Sequence, residues 1–536
     1  MVEQQRNGVW LKEALEWLPT PTFGAILAFR LVNAFTLNTF FQADEYWQAL
    51  EPAHAFVFGY GYLTWEWQLG LRSYLHPLIY MLPYWLVKSF ESKMEDPYPF
   101  ILAGPKLMNA IIATVGDYYL YHLTLRLSEG KGRHFAKLVS FLSLFSAWNW
   151  YCWCRSFANS LELTLTIVAL YHLKSRHITL SLIISALNCI IRPTNAIIWL
   201  FYLPGVFLQF PKYIIIALLI AAGIICLDGG LNYYFYSEFK LPLWEFFKFN
   251  VFDSLSSFYG VSRVDFYTFQ AIPIIMLNYL PFFVYGIFTT PWTESKALII
   301  SYISIFTLIP HKEFRFIYPL MPFLLIYSAS GVLRISTRVS NKMMKLIVIT
   351  TMTLSLLLGY YFSQIHESGE LQIPTSLRNL VLEDYHYNNI DKSSIGFLTP
   401  CHSTPFQSHF HLNESQADIW FLTCEPPLQR NLKPGISVQL YKDESDYFYD
   451  NPVQFLQNNF PALVNRTSAI TPTGKDADWP HQWPEYLVMF ANLWDNNSEL
   501  QELLTSNYEV VERLWNAPFH WDDRRTGDLL ILKYSL

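Results

Sequence analysis

Charged residues are scarce in this sequence: they make up 15% of its 536 positions, whereas soluble domains carry about 25%. Hydrophobic residues make up 52% and aromatic residues 18%. Nearly all long apolar runs lie between residues 20 and 362, whereas residues 363–536 are polar and interrupted by charges. The composition therefore indicates a membrane protein with a polar C-terminal region.

The chain also lacks a basic patch, and its formal net charge is −6, which argues against a nucleic-acid partner. The N-terminal stretch MVEQQRNGVWLKEALEWL lacks the basic start, short apolar core and small-residue cleavage site of a secretory signal peptide. We therefore expect the first apolar segment to act as an uncleaved signal anchor.

Apolar segments that predict membrane helices recur through residues 23–362. They are residues 23–41, 74–90, 100–126, 135–151, 158–173, 178–208, 213–236, 271–290, 297–310, 314–333 and 344–362. Because Pro193 can divide the run at 178–208, the pattern predicts a multi-pass α-helical membrane protein with roughly 10–12 transmembrane helices.

Lys and Arg residues cluster in the short loops at 126–137, 174–176 and 334–345, which the positive-inside rule places in the cytosol. Residues 1–22 are then a cytosolic N-terminus, residues 23–362 a membrane domain whose first luminal loop covers about 42–73, and residues 363–536 a luminal domain. One segment is inconsistent with this orientation, because a membrane-spanning segment at 74–90 would put the basic 126–137 loop in the lumen. Either 74–90 is re-entrant or interfacial, or the charge rule fails locally.

The C-terminal region carries two features of a luminal domain. Three N-glycosylation triplets begin at Asn413, Asn465 and Asn496, a pattern read as surface loops of the secretory pathway. Cys401 and Cys424 can form a disulfide bond in an oxidising compartment, with two free buried thiols as the alternative. The short mixed segments of this region predict a small α/β or α+β domain.

Residues 41–67 (FQADEYWQALEPAHAFVFGYGYLTWEW) interleave acids with aromatic rings directly after the first apolar segment. Carboxylates accept hydrogen bonds from sugar hydroxyl groups, and rings stack on the apolar faces of sugars. An aromatic belt at a membrane interface has the same composition. From this pattern alone, a sugar site and a belt are equal alternatives.

The sequence PHKEFRF, residues 310–316, places three potential cations around one carboxylate between two apolar segments. On a helix, His311 and Arg315 would share a face. With Lys312 they can hold a phosphate or diphosphate, Arg315 through its planar fork and Lys312 as a point charge, while Glu313 orients one of them. The alternative is a boundary of snorkelling cations; we favour the phosphate site.

Further charged residues lie within the apolar runs. Arg192, in IRPTN, marks either a functional cavity or a structural pair with an acid such as Asp117 or Glu162, and both interpretations stay open. Arg155, Asn159 and Glu162, in RSFANSLE, have helical spacing, which favours a polar seam between helices over direct catalysis. Asp117 is expected to support a neighbouring cation.

Together, QADEYWQALEPAH, HKEFRF and the membrane plan resemble the GT-C glycosyltransferases that use dolichyl-phosphate sugars, specifically mannosyltransferase family 22. Within it, RSFANSLE, IRPTNA and the C-terminal stretches TPCHSTPFQSHFH, FLTCEPPL and HWDDRRTGDLLILKY resemble the branch that adds the third mannose of the glycosylphosphatidylinositol (GPI) anchor. The resemblance covers the chain from about residue 30 to the C-terminus.

This resemblance implies a multi-pass GT-C enzyme of the endoplasmic reticulum membrane and its lipids, with a luminal active site. The implied donor is dolichyl-phosphate mannose and the implied acceptor is a GPI precursor bearing two mannoses. The donor mannose is β-linked and the implied product is α-1,2-linked, so the reaction is one inverting displacement.

The resemblance and the chemistry together assign roles to the candidate residues. Asp44 is the expected catalytic base, and Glu45 orients the acceptor or adjusts the pKa of Asp44. The donor phosphate is assigned to His311, Lys312 and Arg315, with Arg192 as a weaker candidate. Sugar and acceptor contacts are assigned to Tyr46, Trp47, Trp65 and Glu51, and supporting roles to Glu313, Arg155, Asn159, Glu162 and Asp117. His54 is expected to be structural. No metal motif is visible, although paired acids leave a divalent ion open.

Three rival functions remain. Another family member would use an acceptor of N-glycan assembly, as an α-1,2- or α-1,6-mannosyltransferase of dolichol-linked oligosaccharides. A lipid transporter or scramblase fits the intramembrane charges, but the sequence has no visible repeat of the kind many transporters show. A non-catalytic subunit would tolerate substitution in its acidic loop.

Overall fold

Helices dominate the apolar part of the chain in a computed structural model that describes residues 8–128, 132–252, 258, 260–387, 390, 392–428, 441–463 and 480–535. The chain forms two units. The first consists of Met1–Leu37, Glu66–Pro83 and Ala103–Ser363, and the second of Asn38–Trp65, Tyr84–Leu102 and Gln364–Leu536. The acidic and aromatic segment therefore belongs mainly to the same unit as the C-terminal region.

The α-helices that precede the first strand are Val9–Trp17, Phe23–Phe35, Ala43–Glu45, Glu51–Phe58, Trp65–Gln68, Pro77–Phe90, Tyr98–Leu127, Gly132–Leu144, Ala147–Cys152, Ala158–Lys174, Ile178–Ile191, Ala196–Gln209, Lys212–Tyr236, Pro242–Phe247, Ile272–Met276, Leu280–Thr289, Glu294–Leu308, Met321–Ser336, Asn341–Tyr360 and Gly369–Tyr387. Shorter 3₁₀ or π segments lie at Tyr46–Leu50, Glu91–Lys93, Pro193–Asn195, Lys248–Phe252, Tyr267–Ala271, Leu277–Tyr279, Phe314–Leu320 and Tyr361–Ile365.

Five described helical stretches are long and apolar enough to cross a membrane. They are Tyr98–Leu127, Lys212–Tyr236, Tyr267–Thr289, Phe314–Ser336 and Asn341–Tyr387. Phe23–Phe35 and Ile178–Ile191 are shorter apolar helices. The predicted multi-pass helical architecture is confirmed.

Local geometry bears on two of the predicted segments. The run at 178–208 is divided, as predicted, by the 3₁₀ turn Pro193–Asn195. The helix Pro77–Phe90 has 14 residues, so it is about 21 Å long at 1.5 Å per residue, less than the roughly 30 Å of a bilayer core. This length favours the interfacial or re-entrant interpretation of residues 74–90.

Helices Leu280–Thr289 and Met321–Ser336 of the first unit pack with their backbones in close approach. A Cβ atom added at Gly286 would lie 1.8 Å from the carbonyl oxygen of Tyr327, and one added at Gly331 would lie 2.0 Å from that of Phe282. Small residues at such crossings let membrane helices approach closely. Any larger residue at either glycine would force the two helices apart.

The second unit contains a five-stranded mixed sheet. Its strands are β1 Ser393–Phe397, β2 Ala417–Phe421, β3 Tyr486–Phe490, β4 Tyr508–Ala517 and β5 Gly527–Tyr534. The order is β2-β1-β3-β5-β4. Strand β1 is parallel to β2 and β3, whereas β5 is antiparallel to β3 and β4. The mixed α/β region predicted for the C-terminal part is confirmed.

Sequence explains the strand positions. The central strand β3, YLVMF, is buried along its whole length, as expected where both faces of a sheet are covered. The edge strand β4, YEVVERLWNA, carries exposed charges, which protect an edge from pairing with another chain. The remaining helices of this unit are Gln407–Phe410, Glu444–Asp450, Pro452–Asn459, Ala491–Asp495 and Ser498–Thr505, with a 3₁₀ turn at Asp523–Arg525.

Candidate active site

Asp44 lies at an irregular point of its helix. The helical turn Ala43–Glu45 passes into a π-helical turn, Tyr46–Leu50, before the α-helix resumes at Glu51–Phe58. Insertions of this kind in helices are frequent at functional sites. Asp44 is partly exposed, whereas Glu45 is 7% exposed. Of the two predicted acids, Asp44 is therefore the more accessible to a substrate.

The helix that follows Asp44 is held by residues 402–411 of the same unit. Trp47 donates its indole N–H to the carbonyl oxygen of Thr404 at 3.0 Å. Seven positions after Trp47, Nε2 of His54 lies 2.9 Å from Nδ1 of His411, and the hydroxyl group of Tyr60 lies 3.0 Å from the same nitrogen. His54 thus links this helix to the C-terminal region, and its structural role stays a prediction.

Glu51 is the deepest acid of this segment, with 1% of its surface exposed. Its carboxylate accepts hydrogen bonds from the backbone N–H groups of Phe406 and Ser408 and from the Ser408 hydroxyl group. Burial raises the pKa of Glu51 to about 7, although these hydrogen bonds oppose the increase. Because the Glu51 carboxylate is buried and already bonded to Phe406 and Ser408, it is not placed to contact an acceptor as predicted. We propose instead that Glu51 positions the helix.

The predicted sugar-binding rings are also buried. Tyr46, Trp47 and Trp65 are 3%, 4% and 7% exposed. Tyr46 stacks on Phe40 with ring centroids 5.3 Å apart, and Trp47 lies 5.5 Å from Phe406. These rings lie inside the protein, so a direct role in sugar stacking stays a prediction.

His402 is a neighbour of Asp44 that the sequence did not single out. Its ring centroid is 4.4 Å from that of Trp47. Burial lowers the pKa of His402 to about 4, although the negative charge of Asp44 acts in the opposite direction. A neutral imidazole in the field of Asp44 can orient that carboxylate or a substrate hydroxyl group. In the sequence, His402 was marked only by its place in the stretch TPCHSTPFQSHFH, which resembles the GPI branch of the family.

Cys401 and Cys424 form a disulfide bond in the structure, next to His402. Because both cysteines are in the disulfide bond, the cluster of Cys401, His402 and Cys424 offers no thiolate to a metal. Of the predicted glycosylation sites, Asn413 and Asn496 are exposed. Asn465 lies outside the described residues.

The HKEFRF segment of the first unit is not a helix at its start, so the predicted helical face shared by His311 and Arg315 is wrong. The preceding helix ends at Leu308, and a 3₁₀ helix begins at Phe314. Pro310 explains the break, because a proline disfavours helical backbone in the residue before it, and that residue, Ile309, is extended.

Glu313 instead brings the two cations together. Its carboxylate accepts two hydrogen bonds from Arg315, at 2.7 and 2.9 Å, and lies 3.2 Å from Nε2 of His311. Burial raises the pKa of Glu313, but the charge of Arg315 and the hydrogen bonds from both cations outweigh it, and the net pKa is well below the ordinary value. Burial lowers the pKa of His311, but Glu313 outweighs it and the net pKa is raised.

Lys312 does not join this cluster through its ammonium group. Its Nζ donates to the carbonyl oxygens of Ser262 at 3.0 Å and Pro310 at 3.4 Å, and the residue is 6% exposed. These contacts give Lys312 a role in holding the segment in place. Its predicted contact with a donor phosphate stays a prediction.

Three motifs of the sequence meet at Glu162. Its carboxylate accepts hydrogen bonds from the side-chain amides of Asn159 and Asn195, both at 3.0 Å, and lies 3.7 Å from Nε of Arg192. The Asn159 amide also donates to the carbonyl oxygen of Arg315 at 3.3 Å. The motifs RSFANSLE and IRPTN thus pack together at Glu162, and Asn159 connects them to the HKEFRF segment by a hydrogen bond.

Arg192 and Arg315 both lie over the ring of Phe316, at 5.5 and 5.8 Å from its centroid. The structural pair that the sequence allowed for Arg192 is formed with Glu162. Two arginines thus lie beside one ring, Arg192 paired with Glu162 and Arg315 paired with Glu313.

Arg155 does not share a helix face with Asn159 and Glu162, because the helix begins at Ala158. Its Nε donates to the carbonyl oxygen of Tyr151 at 2.6 Å, and its guanidinium lies 4.5 Å from the ring centroid of that tyrosine. The predicted polar seam therefore consists of Asn159 and Glu162 without Arg155.

Asp117 pairs with Arg30 rather than with Arg192. Nη2 of Arg30 lies 2.7 Å from a carboxylate oxygen of Asp117, and the two side chains are 0% and 1% exposed. The hydroxyl group of Ser143 donates to the other oxygen at 2.7 Å. Asp117 thus supports a cation inside the helical unit.

Comparison with known proteins identifies the family to which this chain is similar. Residues 21–411 match the profile of the Alg9-like mannosyltransferase family. A protein named GPI mannosyltransferase 3 from Debaryomyces hansenii is 40% identical and covers 96% of this chain and 92% of its own length. Its namesake from Candida albicans is 39% identical, with 95% and 97% covered. That from Saccharomyces cerevisiae is 32% identical, with 96% and 95% covered.

Among solved structures, ArnT from Cupriavidus metallidurans bound to undecaprenyl phosphate is 10% identical, with a TM-score of 0.53 and 95% of this chain and 96% of that chain covered. The same enzyme in the apo state gives a TM-score of 0.51 at 11% identity, with 95% and 97% covered. This likeness shows the GT-C membrane fold that the sequence predicts. By family match and by near full-length similarity, the chain belongs to the Alg9-like mannosyltransferase family.

Proposed function

We propose that this chain transfers the third mannose of the GPI anchor, in α-1,2 linkage, from dolichyl-phosphate mannose to a two-mannose precursor. The observation that carries the proposal is the 32–40% identity to proteins named GPI mannosyltransferase 3 over nearly the whole chain. The similarity includes the C-terminal region, which lies largely outside the family match at residues 21–411.

Asp44 is the proposed base. An acceptor hydroxyl oxygen attacks C1 of the donor mannose, the bond between C1 and the phosphate oxygen breaks, and Asp44 takes the hydroxyl proton. Dolichyl phosphate leaves as an anion, so no acid is needed to protonate it. The partial exposure of Asp44 on a helix held by Glu51 and Trp47 supports this role, since a base must be fixed and accessible.

His311, Arg315 and Arg192 are the proposed partners of the donor phosphate. Preorganised cations stabilise the charge that develops on a leaving group, and Glu313 and Glu162 fix these cations through the contacts described above. The fold is that of ArnT, whose structure contains undecaprenyl phosphate, which supports a lipid-phosphate donor. No metal is assigned a step.

We propose the endoplasmic reticulum membrane as the location, with Asp44 and residues 363–536 on the luminal side. The proposed domain plan keeps residues 1–22 cytosolic and residues 23–362 in and around the membrane. The two described glycosylation triplets, at exposed Asn413 and Asn496, support the luminal side for the C-terminal region.

The test uses cells that lack the third GPI mannosyltransferase, expressing the wild-type chain, Asp44→Asn or a matched control. Asp495→Asn is the control, because Asp495 is a surface acid of the second unit paired with Arg513. We expect the two-mannose precursor to disappear with the wild type and the control. It should persist with Asp44→Asn, because removing a general base costs about 10²–10⁴-fold in rate.

Substantial turnover by Asp44→Asn would exclude Asp44 as the base while leaving the acceptor assignment intact. A well-expressed wild-type chain that leaves the precursor untouched would overturn the GPI assignment. Dolichol-linked oligosaccharides of N-glycan assembly would then be the next acceptors to assay, because the family chemistry would still hold.

A further inference from the structure

The second unit contains a cavity of about 1050 Å³ that the reaction above does not use. It lies beside the edge strand β2 and the helices Glu444–Asp450 and Pro452–Asn459. Ligand pockets measure about 300–1,000 Å³, so the cavity is large enough for more than one sugar ring. We call it the β2 cavity.

Aromatic rings form one part of its lining. Tyr447 is 59% exposed, so its face is accessible. Trp420 is fixed against the sheet: a Cβ atom added at Gly396 of β1 would lie 2.3 Å from its ring. The rings of His481 and Phe460 pack against Trp420 at 4.7 and 5.7 Å. A ring held this rigidly loses little entropy when a ligand stacks on it.

A fixed polar group lies beside these rings. Glu444 accepts hydrogen bonds from the backbone N–H and the hydroxyl group of Thr423, at 2.8 and 2.7 Å, and lies 2.6 Å from Nε2 of His481. Burial raises the pKa of Glu444, but the His481 hydrogen bond and the other contacts outweigh it, and the net pKa is lowered. The carboxylate therefore stays ionised and keeps the imidazole in one orientation.

Side-chain amides supply further polar lining. They belong to Asn451, Gln454, Asn458, Asn459 and Gln482. Each amide offers both donors and acceptors, which is what ligands with many hydroxyl groups require. Three of these residues lie in the helix Pro452–Asn459, and a fourth, Asn451, directly precedes it.

The described lining carries more acidic than basic side chains. Asp418, Glu444 and Asp450 line the cavity, and among the described lining residues there is no Lys or Arg. The nearby Lys442 is paired with Asp450. Glu444 is paired with His481, and this mainly acidic set of described groups favours a neutral sugar over a phosphate or carboxylate.

We propose that the β2 cavity binds a neutral oligosaccharide, with a hexose ring stacked on the aromatic wall and its hydroxyl groups bonded to the amides and Glu444. Tyr62 and Phe421 complete the wall with ring centroids 5.0 Å apart, and Phe421 lies 5.2 Å from Trp47. The cavity wall is thus continuous with the segment that carries Asp44. The oligosaccharide is either the glycan of the glycolipid acceptor or a separate glycan.

The test measures binding to the full chain in detergent by saturation-transfer NMR, without any donor. The probes are α-1,2-mannobiose and mannose 6-phosphate. We expect saturable binding of mannobiose, at least a tenfold weaker affinity in Tyr447→Ala and Gln454→Ala, and no competition by mannose 6-phosphate. Tyr385→Ala is the matched control, since Tyr385 is 48% exposed and lies outside the cavity.

Absent mannobiose binding by the wild type would overturn the proposal. Equal affinity in Tyr447→Ala and Tyr385→Ala, or tighter binding of mannose 6-phosphate, would do the same. In a separate assay, a raised KM of Tyr447→Ala for the glycolipid acceptor would identify the acceptor glycan as the ligand. An unchanged KM with lost mannobiose binding would identify a separate glycan. Mannobiose binding by a chain without transfer activity would overturn only the proposed function.

Discussion

Ser408 donates both its backbone N–H and its hydroxyl group to the carboxylate of Glu51, at 3.1 and 2.5 Å, across 357 positions of sequence. Glu51 lies seven positions after Asp44, and the segment between them contains the π-helical turn. The placement of the candidate base therefore depends on the C-terminal region. This dependence explains why residues 38–65 belong to the same unit as residues 364–536.

The buried Glu51 should make stability fall as the pH rises. Its pKa is raised from 4.5 to about 7 in the folded chain, so the stabilisation is complete below about pH 4.5 and is lost as the pH rises through 7. A pKa change of this size corresponds to at most about 3–4 kcal/mol. In Glu51→Gln, which cannot titrate, the decrease in the free energy of unfolding between pH 5 and 8 should be smaller.

Thermal unfolding of the purified chain in detergent at several pH values measures this slope. Glu499→Gln is the control, because Glu499 is exposed on the helix Ser498–Thr505 and its substitution should leave the slope unchanged. If Glu51→Gln retains the wild-type slope, Glu51 is not the titrating group.

The pair of His54 and His411 should destabilise the second unit in acid. Burial lowers the pKa of His411 to about 4 and that of His54 well below its ordinary value. Their stabilising contribution is therefore present above about pH 6.5 and is lost as the pH falls towards 4. For His411 the lowered pKa corresponds to at most about 3–4 kcal/mol.

His411→Asn keeps an acceptor near the position of Nδ1 but does not titrate in this range. We expect its melting temperature to fall less than that of the wild type between pH 6.5 and 4.5. His386→Asn, at an exposed histidine of the helix Gly369–Tyr387, is the matched control. Parallel curves for His411→Asn and the wild type would contradict this origin of acid sensitivity.

Local pattern in the sequence identified the candidate residues by type but did not predict their geometry. The acids of residues 41–67 and the cations of residues 310–316 stand out in sequence because their types and positions are unusual next to apolar runs. The helical face of HKEFRF was wrong because Pro310 ends the helix, so an i, i+4 spacing no longer places side chains together. Glu313 achieves the same grouping from extended backbone.

Long-range contacts explain what sequence reasoning missed. His402 approaches Trp47 through a left-handed turn, with φ of 58°, and through a disulfide to Cys424. No local periodicity encodes such a contact. The meeting of Asn159, Glu162 and Asn195 likewise depends on the packing of separate helices, although each residue stood out as polar within an apolar run.

Removing the disulfide bond should destabilise the second unit. Cys401 and Cys424 are 23 positions apart, and closing a loop of that size stabilises a protein by about 3 kcal/mol. The double variant Cys401→Ala/Cys424→Ala should therefore melt at a lower temperature than the wild type. Because His402 is adjacent, transfer activity should fall as well.

The control for this variant is Cys226→Ala, which removes an exposed thiol of the first unit and should leave both properties unchanged. Adding a reductant to the wild type should reproduce the lower melting temperature of the double variant. An unchanged melting temperature in both experiments would show that the bond does not stabilise the fold.

Glu313 should set the pH range of transfer through His311. The carboxylate lies 3.2 Å from Nε2 of His311, and it outweighs the effect of burial, so the pKa of His311 is raised. If protonated His311 holds the donor phosphate, the rate should decline as the pH rises through that raised pKa. Glu313→Gln removes the negative charge but keeps the size, so the decline should begin at a lower pH than in the wild type.

Initial rates with dolichyl-phosphate mannose between pH 5.5 and 8.5 give the two profiles. Glu294→Gln is the matched control, because Glu294 also pairs with a cation of the first unit, Lys174, but is half exposed; its profile should match the wild type. If Glu313 had only a structural role, Glu313→Gln would lower the rate by the same factor at every pH. A profile of unchanged shape would therefore remove His311 from phosphate binding, because only a titrating partner of Glu313 can move the alkaline limb.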